Sequence, residues 1–260
     1  MVALTLPIRA YQASQLKLVD RFLKTKLRDL KVETKINGIT PRKWVQVTIF
    51  GADEKAASHY ITGEIGMCPA KMEDVEKLST WKGHLTSTRD TNKNVLGVDI
   101  GILSSELIEA KISLQQQQAQ LTDGRKIAPG KIAELFGLCE NLPVTIKITS
   151  IDKEKKQIEA MFSEEQISQF ESWTKSLLDR LIVIGTSTHE LTLAMDRARI
   201  TRDVANIESL GLFEHAVVCK LGTDAKGLIP KIGRYLRTAN LSIFSPKRIV
   251  EFLGYSFLYD

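Results

Sequence analysis

The chain has 260 residues, 43% apolar and 26% charged, a balance ordinary for a globular protein, and its length predicts two or three domains. A net charge of +5, three cysteines far apart (Cys68, Cys139, Cys219) and four histidines without metal-ligand spacing (His59, His84, His189, His215) argue against a disulfide framework or a structural zinc site. No apolar run approaches the roughly 18–20 residues of a membrane span, and Arg9 follows rather than precedes the first apolar stretch, so a cytoplasmic protein without a signal peptide is expected.

The first predicted domain, residues 1–68, opens with a strand over Leu4 to Ala10. A helix follows from Gln15 to Leu30, with Ser14 as its N-cap. Two strands, Val32 to Ile36 and Trp44 to Ile49, flank a turn holding Gly38, Pro41 and Arg42, and a helix from Asp53 to Ile65 closes the unit. This order is most of a ferredoxin-like split βαβ. Residues 1–50 carry ten Lys/Arg against three Asp/Glu, a net +7, while residues 51–179 carry 15 against 20. Lys17, Arg21, Lys24, Arg28 and Lys31 recur every three or four residues, which on a helix makes one basic stripe opposite Leu16, Val19, Leu23, Leu27 and Leu30. Cations so aligned repel one another, and a polyanion lying along them would relieve that.

The second predicted domain, residues 75–162, reads as short strands, a glutamine-rich segment (Gln115 to Gln118), a helix from Lys131 to Leu138, and a hairpin over Val144 to Ile148 and Ile158 to Ala160. That is a five-stranded barrel with a helix between its third and fourth strands. A helical linker, Ser163 to Ser176, leads to the third domain, residues 177–260. Its strands are expected at Leu181 to Ile184, Val204 to Leu210, Glu214 to Leu221 and Leu241 to Phe244. Helices are expected at Glu190 to Arg199 and Gly227 to Leu236, and a last one starts at Pro246. This βαββαβ order is again ferredoxin-like. The fold class expected is therefore α+β, a central OB barrel flanked by two ferredoxin-like sandwiches.

Three stretches of the middle domain, in order, resemble the S1 family of RNA-binding OB barrels. They are Lys82-Gly83-His84-Leu85, then Gly97-Val98-Asp99-Ile100-Gly101, then the hairpin Val144-Thr145-Ile146-Lys147-Ile148 with Ile151-Asp152 and Lys155-Lys156-Gln157-Ile158. The whole chain resembles an uncharacterised archaeal protein family carrying such a barrel, through Glu214 to Asp224 and Gly227-Leu228-Ile229-Pro230. The resemblance implies RNA binding, with ribosomal RNA or a ribosomal subunit as partner, or other proteins of the translation or transcription apparatus. Lys82, Lys93, Lys111 and Lys147 are the expected barrel contacts. Gly97 stands where S1 barrels usually place a base-stacking aromatic, which directs the expectation toward phosphates and RNA shape.

No catalytic constellation emerges, and no cofactor is expected. His189-Glu190 and Glu214-His215 are adjacent pairs, which on a strand point to opposite faces, and neither Ser105 nor Ser187 lies in an elbow motif. Gly222 to Gly227 lacks the Gly-Lys-Ser/Thr ending of a phosphate loop. It resembles the turn of ACT-type amino-acid sensors, but capping by Asp224 is the simpler role. A protein-interaction module and an ACT-like sensor are the alternatives to an RNA-binding factor.

Overall fold

The structure, a computed structural model, describes residues 1–86, 94–104 and 107–254. It is a mixed α+β chain with a closed five-stranded barrel and two further sheets. Strands β1 (Val2–Arg9), β2 (Val32–Ile39) and β3 (Trp44–Gly51) form an antiparallel sheet in the order β1-β3-β2. Leu6, Ile8, Val45, Val47 and Ile49 alternate onto one face of it. They are buried beneath Val19 and Leu23 of α1 (Gln15–Lys26) and Ala57 and Ile61 of α2 (Glu54–Glu64).

Two local expectations are corrected here. Helix α1 stops at Lys26 with Leu27 as C-cap, not at Leu30, so Arg28 and Lys31 are off the helix. The apolar rhythm runs on because Leu27 and Leu30 still face the same core through a turn, with Leu30 N donating to Leu27 O. Ser14 makes no side-chain cap; the buried Gln15 turns back instead, its Oε1 accepting from Tyr11 N at 2.7 Å.

The barrel comprises β4 (Thr80–Leu85), β5 (Val95–Asp99), β6 (Ala110–Ser113), β7 (Pro143–Asp152) and β8 (Gln157–Phe162), closed in the order β4-β5-β6-β8-β7. The Val-Asp strand end and the Val-x-Ile-x-Ile strand thus share one barrel, and β6 with β8 is its parallel pair. Helices α3 (Leu114–Leu121) and α4 (Pro129–Leu135) lie between β6 and β7. The glutamine run lies in α3, whose side chains clamp backbone: Gln117 donates to Ile112 O, Gln118 to Ile127 O, and Gln120, just past the run, both donates to Phe162 O and accepts from Phe162 N.

The second open sheet runs β10-β11-β9-β12, all antiparallel, from β9 (Arg180–Ile184), β10 (Val204–Ser209), β11 (Glu214–Cys219) and β12 (Asn240–Phe244). Every residue of β9 and β11 is buried because both faces are covered. Leu181, Val183, Val217 and Cys219 face α6 (Thr188–Arg197) and α7 (Ala225–Ile232), whereas Ile182, Ile184, Ala216 and Phe244 join the core of the barrel. Helix α5 (Glu164–Lys175), expected as a linker, belongs to that shared core. Its Phe170 stacks on Phe244 at 6.1 Å, and α8 (Pro246–Leu253) adds Ile249 and Leu253. Gly137, at φ 63°, permits the approach: a Cβ there would lie 2.8 Å from the backbone oxygen of Ile243 on β12. Asp224 Oδ1 accepts from Lys226 N at the start of α7, the capping role.

Candidate nucleic-acid interface

The strand end Val98-Asp99-Ile100-Gly101 is the joint between the first sheet and the barrel. Asp99, 1% exposed, accepts four hydrogen bonds. Its Oδ2 accepts from Arg9 Nη2 at 2.5 Å and Trp44 Nε1 at 2.9 Å; its Oδ1 accepts from Arg42 Nη1 at 2.9 Å and Gly101 N at 2.8 Å. A buried carboxylate needs such satisfaction, since desolvation would otherwise outweigh its attraction to a guanidinium. Gly101, at φ 86°, is required for the turn and for contact, because a Cβ would lie 2.8 Å from the Cβ of Cys68. Arg42 also donates to Ile102 O, and Arg9 Nη1 to Asn141 Oδ1.

Beside this clamp His84 is fully buried, 3.7 Å from Glu214 Oε1 and edge-on to Trp44 at 5.0 Å. Burial holds its pKa below the ordinary histidine value, although Glu214 pulls the other way. Tyr11 donates to Glu214 at 2.7 Å; burial, then the Glu214 charge, raises its pKa. Strands β1, β3, β4, β5 and β11 thus meet on one polar cluster.

The clamp forms the end of a cleft of about 930 Å³. One wall is the β2–β3 turn, Pro41-Arg42-Lys43, in which Lys43 adopts φ 70° and holds its ammonium 5.6 Å from the Tyr11 ring. The other is the outer face of β4, β5 and β6, with Thr86, Gly97, Glu109 and Lys111, joined by Lys156 from the β7–β8 turn. Among the described residues, five cations (Arg9, Arg42, Lys43, Lys111, Lys156) face three carboxylates (Asp99, Glu109, Glu140). Charges drawn from two separate parts of the chain on a concave wall suit a polyanion.

The expected contacts do not all gather there. Lys111 lies in the cleft, opposite Gly97 in register. Lys82 lines a separate pocket with Pro7 and Met67, and Lys147 pairs with Glu164 at 3.8 Å. Lys93 lies outside the described residues. Since β1 ends at the clamp and α1 turns back from it, the basic stripe leads away: Lys31 sits beside Gly51, at the opposite end of the sheet from Trp44. On that stripe Lys24 pairs with Asp20 at 2.7 Å and Arg28 with Asp29 at 3.4 Å, whereas Lys17 and Arg21 are exposed. Arg9, Arg42, Lys43, Asn141 and Glu109 were not among the expected contacts. The signal within reach was the short basic turn Pro41-Arg42-Lys43.

Family models describing the N-terminal, central and C-terminal domains of DUF2110 match residues 3–71, 75–174 and 178–244. The chain belongs to the DUF2110 family. No curated protein matches it. Among solved structures, a chain of the a/eIF2alpha–aDim2p–rRNA complex from Pyrococcus horikoshii OT3 is similar at 12% identity and TM-score 0.25, over 48% of this chain and 64% of that one. The present chain therefore spans less than two thirds of that protein. The intact alpha subunit of aIF2 from Pyrococcus abyssi is similar at 10% identity and TM-score 0.26, over 65% and 97%. Scores this low leave the use of the DUF2110 fold to be argued from its own surface.

Proposed function

We propose that this DUF2110 protein is a non-enzymatic RNA-binding factor of the translation apparatus, with ribosomal RNA or a ribosomal subunit as its partner. RNA backbone would lie in the cleft between the β2–β3 turn and the barrel. The observation that carries this reading is the convergence of Arg42 and Lys43 from one wall with Lys111 and Lys156 from the other on a single cleft. The closed strand order with a parallel β6–β8 pair supports an OB, S1-like barrel, a frame that binds nucleic acid on its outer strands. The antiparallel order β10-β11-β9-β12, with both crossover helices on one face, supports a ferredoxin-like third domain; the first sheet has the same order short of one strand. The net +7 of residues 1–50 supports a polyanionic partner.

The test is binding of a labelled ribosomal RNA fragment across a salt series, with wild type and a Lys43→Gln, Lys111→Gln, Lys156→Gln variant. The variant should bind more weakly, and its slope of log K against log salt should shrink by about two units, near 0.7 per lost phosphate contact on single strands. Equal affinity and slope in a folded variant would remove the cleft from RNA binding. Sedimentation of native lysate tests the ribosomal partner, and a protein found wholly in the light fractions at low salt would argue against it.

A further inference from the structure

Resting on the reading of the cleft as an RNA site, we infer that Glu109 recognises an unpaired guanine there. Glu109 is half-buried in the barrel wall of the cleft, and no hydrogen bond or ion pair engages its carboxylate among the described residues. It stands over Gly97: a Cβ on that glycine would lie 2.7 Å from Glu109 Oε2 and against the Thr86 hydroxyl. The surface where an OB barrel could offer a stacking ring therefore offers an acceptor instead. A carboxylate among cations suited to phosphate repels phosphate, so the group resting on it must bring N–H or O–H donors.

The chemistry of a carboxylate narrows the choice of base. Its two oxygens accept two parallel hydrogen bonds, and on the Watson–Crick edge only guanine presents two adjacent donor groups, N1–H and the N2 amine. Adenine, cytosine and uracil each present one donor group on that edge. Because this is the pairing edge, the guanine must be unpaired, in a loop, bulge or single strand. Gly97 keeps the floor of the cleft free of a side chain, and Lys111, its cross-strand partner, supplies a cation for a neighbouring phosphate. The cleft then reads a base by its edge rather than by its face.

Fluorescence anisotropy on short labelled oligoadenylates carrying one guanine, one inosine or neither decides this. Wild type should bind the guanine oligomer at least about fivefold tighter than the guanine-free one, with inosine, which lacks the N2 amine, in between. Glu109→Gln, checked for an unchanged melting curve, should lose that preference and bind the guanine-free oligomer as well as before or better. Lys111→Gln should weaken all three oligomers alike. Equal wild-type affinity for the three would overturn the inference and leave the RNA reading standing. Guanine preference surviving in Glu109→Gln would do the same. If neither these oligomers nor ribosomal RNA bind at low salt, the RNA reading fails and takes the inference with it.

Discussion

At the scale of single residues, the joint between the first sheet and the barrel concentrates groups that proteins rarely bury. Asp99 is stable there because four donors surround it; His84 is there without a hydrogen-bond partner for either ring nitrogen among the described residues. The groups facing His84 are Glu214, Arg9 and Asp99, and burial outweighs them in holding its pKa below 6.5; His215, hydrogen-bonded to Thr186 O at 3.0 Å, is lowered by the same cause. An unfolded chain therefore takes up protons below pH 6.5 that the folded chain refuses, and stability must fall as the pH drops through that value. Each histidine can contribute a slope of at most about 1.4 kcal/mol per pH unit. Urea unfolding between pH 7.5 and pH 5.5 checks this, and a flat or rising stability on acidification would contradict it. Asp99 was legible only as a motif letter, because sequence shows that an aspartate ends a strand and not which guanidinium meets it.

At the scale of elements, helix α1 shows both how far periodicity reaches and where it stops. The apolar positions Val19, Leu23 and Leu27 are buried as their spacing requires, yet the helix ends at Lys26 because the chain must turn into β2. The exposed stripe is correspondingly short. Replacing Lys17, Arg21, Lys24 and Arg28 by glutamine keeps helix propensity and the buried face, so the fold should survive. RNA affinity should fall for every sequence alike, since phosphate contacts position without reading bases. Lys24 and Arg28 already have acidic partners, so the salt slope should shrink by only about one to two units, near 0.7–0.9 per lost contact. An unchanged slope in the folded variant would make the stripe a solvated face with no ligand. Helix α3 is the opposite case: four consecutive glutamines carry no hydrophobic period, and the helix is tied to β8 by Gln120, whose clamp on Phe162 depends on a strand distant in sequence.

At the scale of the whole molecule, the three family-matched segments are locked to one another. Phe213 precedes β11 in sequence but is fully buried in the core of the first sheet, and Gln15 Nε2 donates to Gly185 O at 2.9 Å across the same contact. The faces of β9 divide their residues between two cores. The chain should accordingly unfold in one calorimetric transition. Phe213→Ala, which leaves a cavity where an aromatic ring was, should cost roughly 3–5 kcal/mol and separate the melting of the first sheet from the rest. A wild-type chain that already melts in separate steps would refute the coupling.

The local pattern of the chain determined the closing hairpin of the barrel, the interior placement of Cys219 and Pro246 as the first residue of α8, because each depends on neighbours within a few residues. The basic charge of residues 1–50 was likewise plain. Tertiary structure alone decided that Arg9, Arg42 and Trp44 converge on Asp99, that Lys82 and Lys147 do not line the cleft that holds Lys111, and that Glu109 stands over Gly97. Those positions are tens of residues apart or more in most cases. What joins them is the closure of a barrel against a sheet, which periodicity within either cannot encode.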